Sequence, residues 1–437
     1  VTVHRVERRV DWHDPLAVAC GLHRLPGALA LISDGDVRAG RSWVAAEPDL
    51  LFVGPMPPEA PFRILNDPDF ARGVVGLATY DGGARPATGE RVGEGAGDTW
   101  PDLMLARYPA LLRFQDGIAT AIGLGASAAE AEGQADRAEG WLGLATSPDL
   151  PVPPAETFHT EAPDDAYRHA VAEVVRRIGE GELFQANIAR AWSGRLKAEA
   201  DPFDVFVRLA RSRAAAFGAF WRMGDRALVS NSPELFLDFD ATTGRIETRP
   251  IKGTRGRDAD AAIDARLAAD LIASAKDRAE NLMIVDLMRN DLSRIAAPGS
   301  VKVERLFEVE TLPTVHHLVS TVTALARPGT GPAALMEATF PPGSITGAPK
   351  HQAMKVIADL EPPRGPWCGS LFMVDDEGSL TASVLIRTAS FVQDSRGWHF
   401  RTLAGAGIVA DSDPEAELAE TVVKISALKQ ALTGSAD

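Results

Sequence analysis

In the last third of the chain, three strand-like runs follow one another with only turns between them: "GSLFMVDDEG", "LTASVLIRTASFVQ" and "GWHFRTLAGAGIVA". Nothing long enough to form a crossover helix separates them, so neighbouring strands must run antiparallel. The middle of the chain carries the same signal. There "RALVSNSPELFLDFD" and "GRIETRPIKGT" read as a hairpin joined by "ATTG". Helical segments are grouped between the strand runs. "DDAYRHAVAEVVRRIGEGE" places apolar residues at helical spacing and stops at a Gly-Glu-Gly turn. "DAAIDARLAADLIASAKDRAENLMIVDLMRNDLSRI" reads as strongly helical, and "DPEAELAETVVKISALKQAL" as a C-terminal helix. This order predicts an α+β fold and disfavours a parallel doubly wound sheet.

The stretch "SPDLPVPPAETFHTEAP", residues 147–163, is rich in proline and lacks apolar periodicity, so it reads as a connector. It divides an N-terminal part, residues 1–146, from a larger part, residues 164–437. In the N-terminal part "GALALIS" and "GVVGLATY" look like strands, and "SAAEAEGQADRAEGWLG" like a helix. The excess of 60 acidic over 45 basic residues gives a net charge of −15. That argues against a nucleic-acid partner but leaves room for a small anion held by a few local cations or a metal. Cys20 and Cys368 are the only cysteines, which indicates neither a disulfide framework nor a zinc site. No apolar run reaches the roughly 20 residues of a membrane helix, and the N-terminus lacks a signal-peptide core. A cytoplasmic protein without a membrane role is expected.

Two acidic pairs stand at i,i+3: Asp277 with Glu280, and Glu417 with Glu420. Each pair shares one face of its helix. Taken alone, either reads as a solvated helix face. Converging, the four carboxylates would repel one another and require a cation; their hard oxygen donors suit Mg²⁺. "FPPGSITGAPK" puts Gly343, Ser344, Thr346 and Gly347 in a loop that either aims N–H groups at an anion or is merely structural. In "AGAGIVADSDPE", Gly405 and Gly407 either admit a carboxylate close to the main chain or end a strand. Lys252, in "RPIKGTRGR", reads on its own as a solvated loop residue, and His317 as a packed core histidine.

The order and spacing of "SPELF", "RPIKGTRGR", "KDRAENLMIVDLMRNDL", "HHLVS", "FPPGSITGAPK", "LIRTA", "GAGIVADSDPEAELAET" and "VVK" resemble the chorismate-utilising enzymes from about residue 164 onward. The N-terminal part resembles more weakly the first region of anthranilate and aminodeoxychorismate synthases. The resemblance implies two interleaved subdomains, with two large, mostly antiparallel sheets packed as a sandwich and flanked by helices. Within that family, anthranilate-forming members carry alanine where this chain has Lys252, and aminodeoxychorismate-forming members carry lysine. Members that add water place a lysine at the position of Gln185, so water activation is disfavoured here, unless Gln185 is simply a satisfied strand residue.

The implied reaction is amination of chorismate to 4-amino-4-deoxychorismate, the precursor of para-aminobenzoate in folate biosynthesis. By resemblance Glu234 is the general acid and base, and Lys252 the nucleophile that forms a covalent adduct. The lysine must shed its proton to attack, with Arg249, Arg255 or Mg²⁺ as the neighbouring cation. Mg²⁺ falls to Glu280 and Glu420, with Asp277 and Glu417 holding it through water. Arg387 resembles the clamp on the enolpyruvyl carboxylate, assisted by the backbone at Gly405. Thr254, His317, Thr346, Gly347 and Lys424 match positions near the substrate. Cys368 has no glutaminase-like setting, so a glutamine amidotransferase partner is expected to supply the ammonia. The alternatives are an anthranilate synthase component I and a non-catalytic chorismate-binding subunit. Ser33 lies about where relatives begin a tryptophan site, though the local pattern departs from the feedback-inhibited type.

Overall fold

The computed structural model describes residues 3–33, 40–91, 100–213, 215–312 and 315–435. Among them twelve strands form one sheet and ten another. Every pairing between these strands is antiparallel. The α+β class and the two large antiparallel sheets are therefore as the sequence implied. No helix among the described residues is long and apolar enough to cross a membrane.

Alternation along the strands explains why the sheets stack. In Val74–Ala78, Val75 and Leu77 join one core, while Val74 and Ala78 join a second. Ser370–Val374 does the same, with Leu371 and Met373 on one side and Phe372 and Val374 on the other. The first core collects Leu29, Trp43, Trp221 and Phe391 of the other sheet and so lies between the two. The second core packs Phe236, Ile246 and Phe372 against helices through Val171, Ile284, Met288 and Val356.

Both sheets take strands from either side of residues 147–163. Leu29–Ile32 pairs with Phe217–Met223, and Val74–Ala78 pairs with Ser370–Val374. Within the connector, His159 and Thr160 pair with Ser193 and Trp192.

Three local readings change in the structure. The long helical stretch is two helices, Ala261–Ala273 and Ala275–Ser293, divided at Ser274. The Ser274 hydroxyl accepts from Asp277 N–H at 3.2 Å and caps the second helix. The "ATTG" hairpin exists, pairing Leu235–Phe239 with Arg245–Arg249, but Arg226–Ser232 belongs to the other sheet. The chain crosses between sheets at Pro233 and Glu234, where proline has no N–H to give a ladder. A second crossing divides "LTASVLIRTASFVQ" into Leu380–Val384 in one sheet and Thr388–Asp394 in the other.

The two crossings are bonded to each other. Val384 N–H donates to Glu234 O at 3.1 Å, and Asn231 N–H donates to Arg387 O at 3.0 Å. The Ser232 hydroxyl donates to Val384 O at 2.6 Å.

Candidate active site

Glu234 sits on the first crossing and is buried. Burial pushes its carboxyl up to about 7, against the opposing pull of the Ser344 hydroxyl and the Lys252 ammonium. At neutral pH it can therefore hold or release a proton. Lys252 comes from the strand Ile251–Gly256, and its Nζ donates to Ser344 O at 3.0 Å. Its charge acts on Glu234, Glu280 and Glu420. A neutral-range carboxyl and a primary amine thus face one space.

Arg387 sits on the second crossing with φ +51, a left-handed conformation that costs a residue with a side chain roughly 1–3 kcal/mol. Its guanidinium acts on His317, whose imidazole is pushed down to about 3, first by burial and then by that charge. His317 is therefore neutral. Its Nδ1 meets the Thr254 hydroxyl at 2.8 Å, because Thr254 and His317 are cross-strand partners. Its Nε2 is buried without a partner.

The acidic pairs do approach. Burial raises the Glu280 carboxyl; Lys252 and Lys276 oppose this, while Glu420 and Asp277 add to it. Burial also works to raise Glu420, but the Lys424 ammonium at 2.6 Å, together with Lys276 and Lys252, outweighs it, and this carboxyl ends below its usual value. Asp277 receives Arg255 at 3.1 Å, and Glu417 receives Lys276 at 3.0 Å and the Ser412 hydroxyl at 2.7 Å. Among the described residues these carboxylates form no ready cage of three or more ligands. The donor set nevertheless fits a hydrated hard cation, which takes one or two carboxylates and completes its shell with water and substrate oxygens. Gly407 packs close beside this pair: a Cβ there would lie 3.5 Å from Glu280 Oε2 and 2.8 Å from Gln185 Nε2.

The wall beside them carries polar groups without partners. Gln185 is fully buried with neither amide atom bonded, and Asn187 Oδ1 and Trp367 Nε1 are likewise unsatisfied. Such groups cost about 1–3 kcal/mol each when left unbonded, so their gathering here marks a place for a polar ligand. A Cβ on Gly405 would meet Asn187 Oδ1 at 2.8 Å and Trp367 at 3.1 Å, so glycine keeps this floor open. Lys424 Nζ donates to Gly405 O at 2.8 Å. Gly347, with φ +140, packs where a side chain would strike Gln185 O.

The two remaining positions from the glycine-containing loop differ in what they offer. Thr346 is buried and donates its hydroxyl to Pro342 O at 2.8 Å, so its side chain serves its own loop. Its carbonyl accepts from Asn187 N–H at 2.9 Å and ties the loop to the strand Gln185–Arg195. Arg249 is paired with Glu310 and Arg255 with Asp277. Cys368 is buried and its thiol is pushed up by that burial.

Asn187, Trp367, Lys276 and the Ser344 carbonyl were not singled out as site groups from sequence. Asn187 lies two residues from Gln185 and shares its strand face, a signal available from period two. A cavity of 640 Å³ opens between the two sheets; its wall includes Ser33, Trp43, Asp238 and Met373, and it reaches His317.

Comparison with known proteins identifies the family and the fold. Residues 54–430 match the family model described as chorismate binding enzyme. The chain is similar to aminodeoxychorismate synthase component 1 of Salmonella typhimurium, 39% identical over 84% of this chain and 78% of that protein. It is 45% identical to aminodeoxychorismate synthase component 1 of Klebsiella aerogenes over 60% of this chain, a stretch spanning 56% of that protein's length. The solved structure of anthranilate synthase component I from Streptococcus pneumoniae superposes with a TM-score of 0.76 at 25% identity, covering 96% of this chain and 99% of that one.

Proposed function

The chain belongs to the chorismate binding enzyme family, and from that premise we propose that it aminates chorismate with ammonia to 4-amino-4-deoxychorismate. The observation that carries this reading is Lys252. Its amine is anchored on Ser344 O in electrostatic reach of both Glu234 and the Glu280–Glu420 pair. The relatives named aminodeoxychorismate synthase component 1 support it.

In this reading the Lys252 amine bonds to the second ring carbon, and the ring double bonds shift. The bond from the fourth carbon to its hydroxyl breaks as Glu234 supplies the proton, so water leaves. Ammonia then bonds to the fourth carbon and the lysine departs with its electron pair. Glu234, now a carboxylate, takes the surplus proton. The balance is chorismate plus ammonia to aminodeoxychorismate plus water. Arg387 grips the enolpyruvyl carboxylate with its planar fork, beside neutral His317 and Thr254. The Gly405 backbone and Lys424 close one side, and Gly347 and Thr346 shape the loop.

Mg²⁺ held by Glu280 and Glu420, with Asp277 and Glu417 outside them, would withdraw electron density from the ring through its carboxylate. A glutamine amidotransferase would be the physiological ammonia source, in keeping with the relatives' designation as component 1. Mass-spectrometric identification of the product from chorismate, Mg²⁺ and ammonium tests the proposal. Aminodeoxychorismate is expected. Anthranilate would assign the chain to the other branch, and unaltered chorismate would leave only a binding role.

A further inference from the structure

Arg364 follows the helix Lys350–Leu360, and none of its side chain is exposed. Its Nε and Nη2 each donate to a carboxylate oxygen of Glu361 at 2.9 Å. Nη2 also donates to Asn187 O at 2.6 Å, and Nη1 to Ile345 O at 3.2 Å. The rings of Tyr80 and Trp367 lie 4.5 and 5.2 Å from its Cζ. Glu361 Oε1 accepts in addition from Ala189 N–H at 2.7 Å.

Stability is a poor explanation for this pair, since a buried ion pair is often no better than apolar residues of the same size. What a guanidinium offers here is five donors in one rigid plane, with two faces for stacking. It bonds two pieces of chain and lies against the Trp367 ring, and each of the three carries a site group within one residue of the contact. Asn187 presents its unpartnered Oδ1, and Trp367 its unpartnered Nε1. Ile345 follows Ser344, whose carbonyl anchors Lys252.

The geometry points to Arg364 as a positioning residue: with Glu361 it fixes the loop that anchors Lys252 against the strand and the indole that line the substrate space. It touches none of the reacting atoms. The inference rests on the proposed role of Lys252 and adds to it the part that holds the nucleophile in register.

The test uses the full chain. In the double variant Glu361→Gln/Arg364→Met both charges are gone, the amide oxygen still accepts from Ala189 N–H, and methionine fills much of the space. Arg364→Lys keeps the charge beside Glu361 but loses the plane. Melting temperature, kcat and KM for chorismate with ammonium, and chorismate affinity by calorimetry are measured for each.

The expected result is at least a tenfold fall in kcat for both variants, with the melting temperature of the double variant within a few degrees of wild type. A double variant of native stability with kcat within twofold of wild type overturns the proposal. So does Arg364→Lys with full activity, because charge balance alone would then be its role. If the double variant does not fold, Arg364→Lys decides by the same numbers. A wild type that binds chorismate without turning it over sinks the proposed function. Arg364 is then judged by binding, where tenfold-weaker affinity supports the positioning role and unchanged affinity overturns it.

Discussion

Glu234 and His317 carry opposite pH signatures. Glu234 moves from 4.5 up to about 7 on folding, so its protonated form stabilises the fold fully below 4.5, and this is lost as pH rises through about 7. His317 moves from 6.5 down to about 3; its contribution is present above 6.5 and lost as pH falls through about 3. Between 4.5 and 6.5 these two slopes oppose each other. Glu234→Gln removes one of them, so the stability difference between that variant and wild type, read from denaturant titrations, should move in the variant's favour as pH rises across this window; a difference that does not change with pH would contradict the assignment. In the proposed reaction the same carboxyl must be protonated to release the hydroxyl, so wild-type kcat should decline above about pH 7. Lys252→Ala is expected to lose most amination and to shift trace product towards addition at the second ring carbon. An unchanged rate and product by mass spectrometry would return Lys252 to an ordinary surface residue, whose replacement usually costs within about 0.5 kcal/mol.

The elements that carry these residues were legible in the sequence to differing degrees. The helix Pro414–Thr433 announces itself by capping Asp413, by proline at its first position and by Gly434 beyond its end. The break at Ser274 was hidden because alanine-rich sequence continues on both sides, and only the cap at Asp277 N–H marks it. Glu280 and Glu420 were visible as i,i+3 pairs on strongly periodic helices. Asn187 and Trp367 were not, because an amide or an indole on a strand or turn looks the same whether it is satisfied or not. The approach of Ala275–Ser293 to Pro414–Thr433 predicts that Glu280→Gln abolishes turnover at ordinary Mg²⁺ concentrations while leaving circular dichroism unchanged. Full turnover in excess chelator would refute the metal role altogether. At the second crossing, Arg387→Ala would remove the proposed two-pronged contact with the enolpyruvyl carboxylate, of about 2–5 kcal/mol, and should lower kcat/KM for chorismate roughly tens- to thousandfold. A loss below about threefold would mean that the carboxylate is held elsewhere.

On the scale of the whole molecule, strands from residues 1–146 are built into both sheets. Residues 164–437 expressed alone would bare the flanks of Phe217–Met223 and Ser370–Val374, and with them much of the core between the sheets. That fragment is expected to aggregate or to melt without a cooperative transition; a soluble fragment with one sharp calorimetric peak would show otherwise. Sheet membership was not legible beforehand, since a proline inside a strand-like run signals a kink without saying which sheet the chain enters next. The two crossings have a further consequence for how such a chain can change over generations. Inward and outward positions alternate along a regular strand, so one residue added beside Arg387 would turn the later side chains of Thr388–Asp394 the wrong way round unless a bulge absorbed it, as one already does in Leu235–Phe239 beyond the first crossing. Substitutions can accumulate almost anywhere on the surface, but a change of length at these two points has to be corrected within a few residues, much as a message tolerates misspelling better than a slipped reading frame.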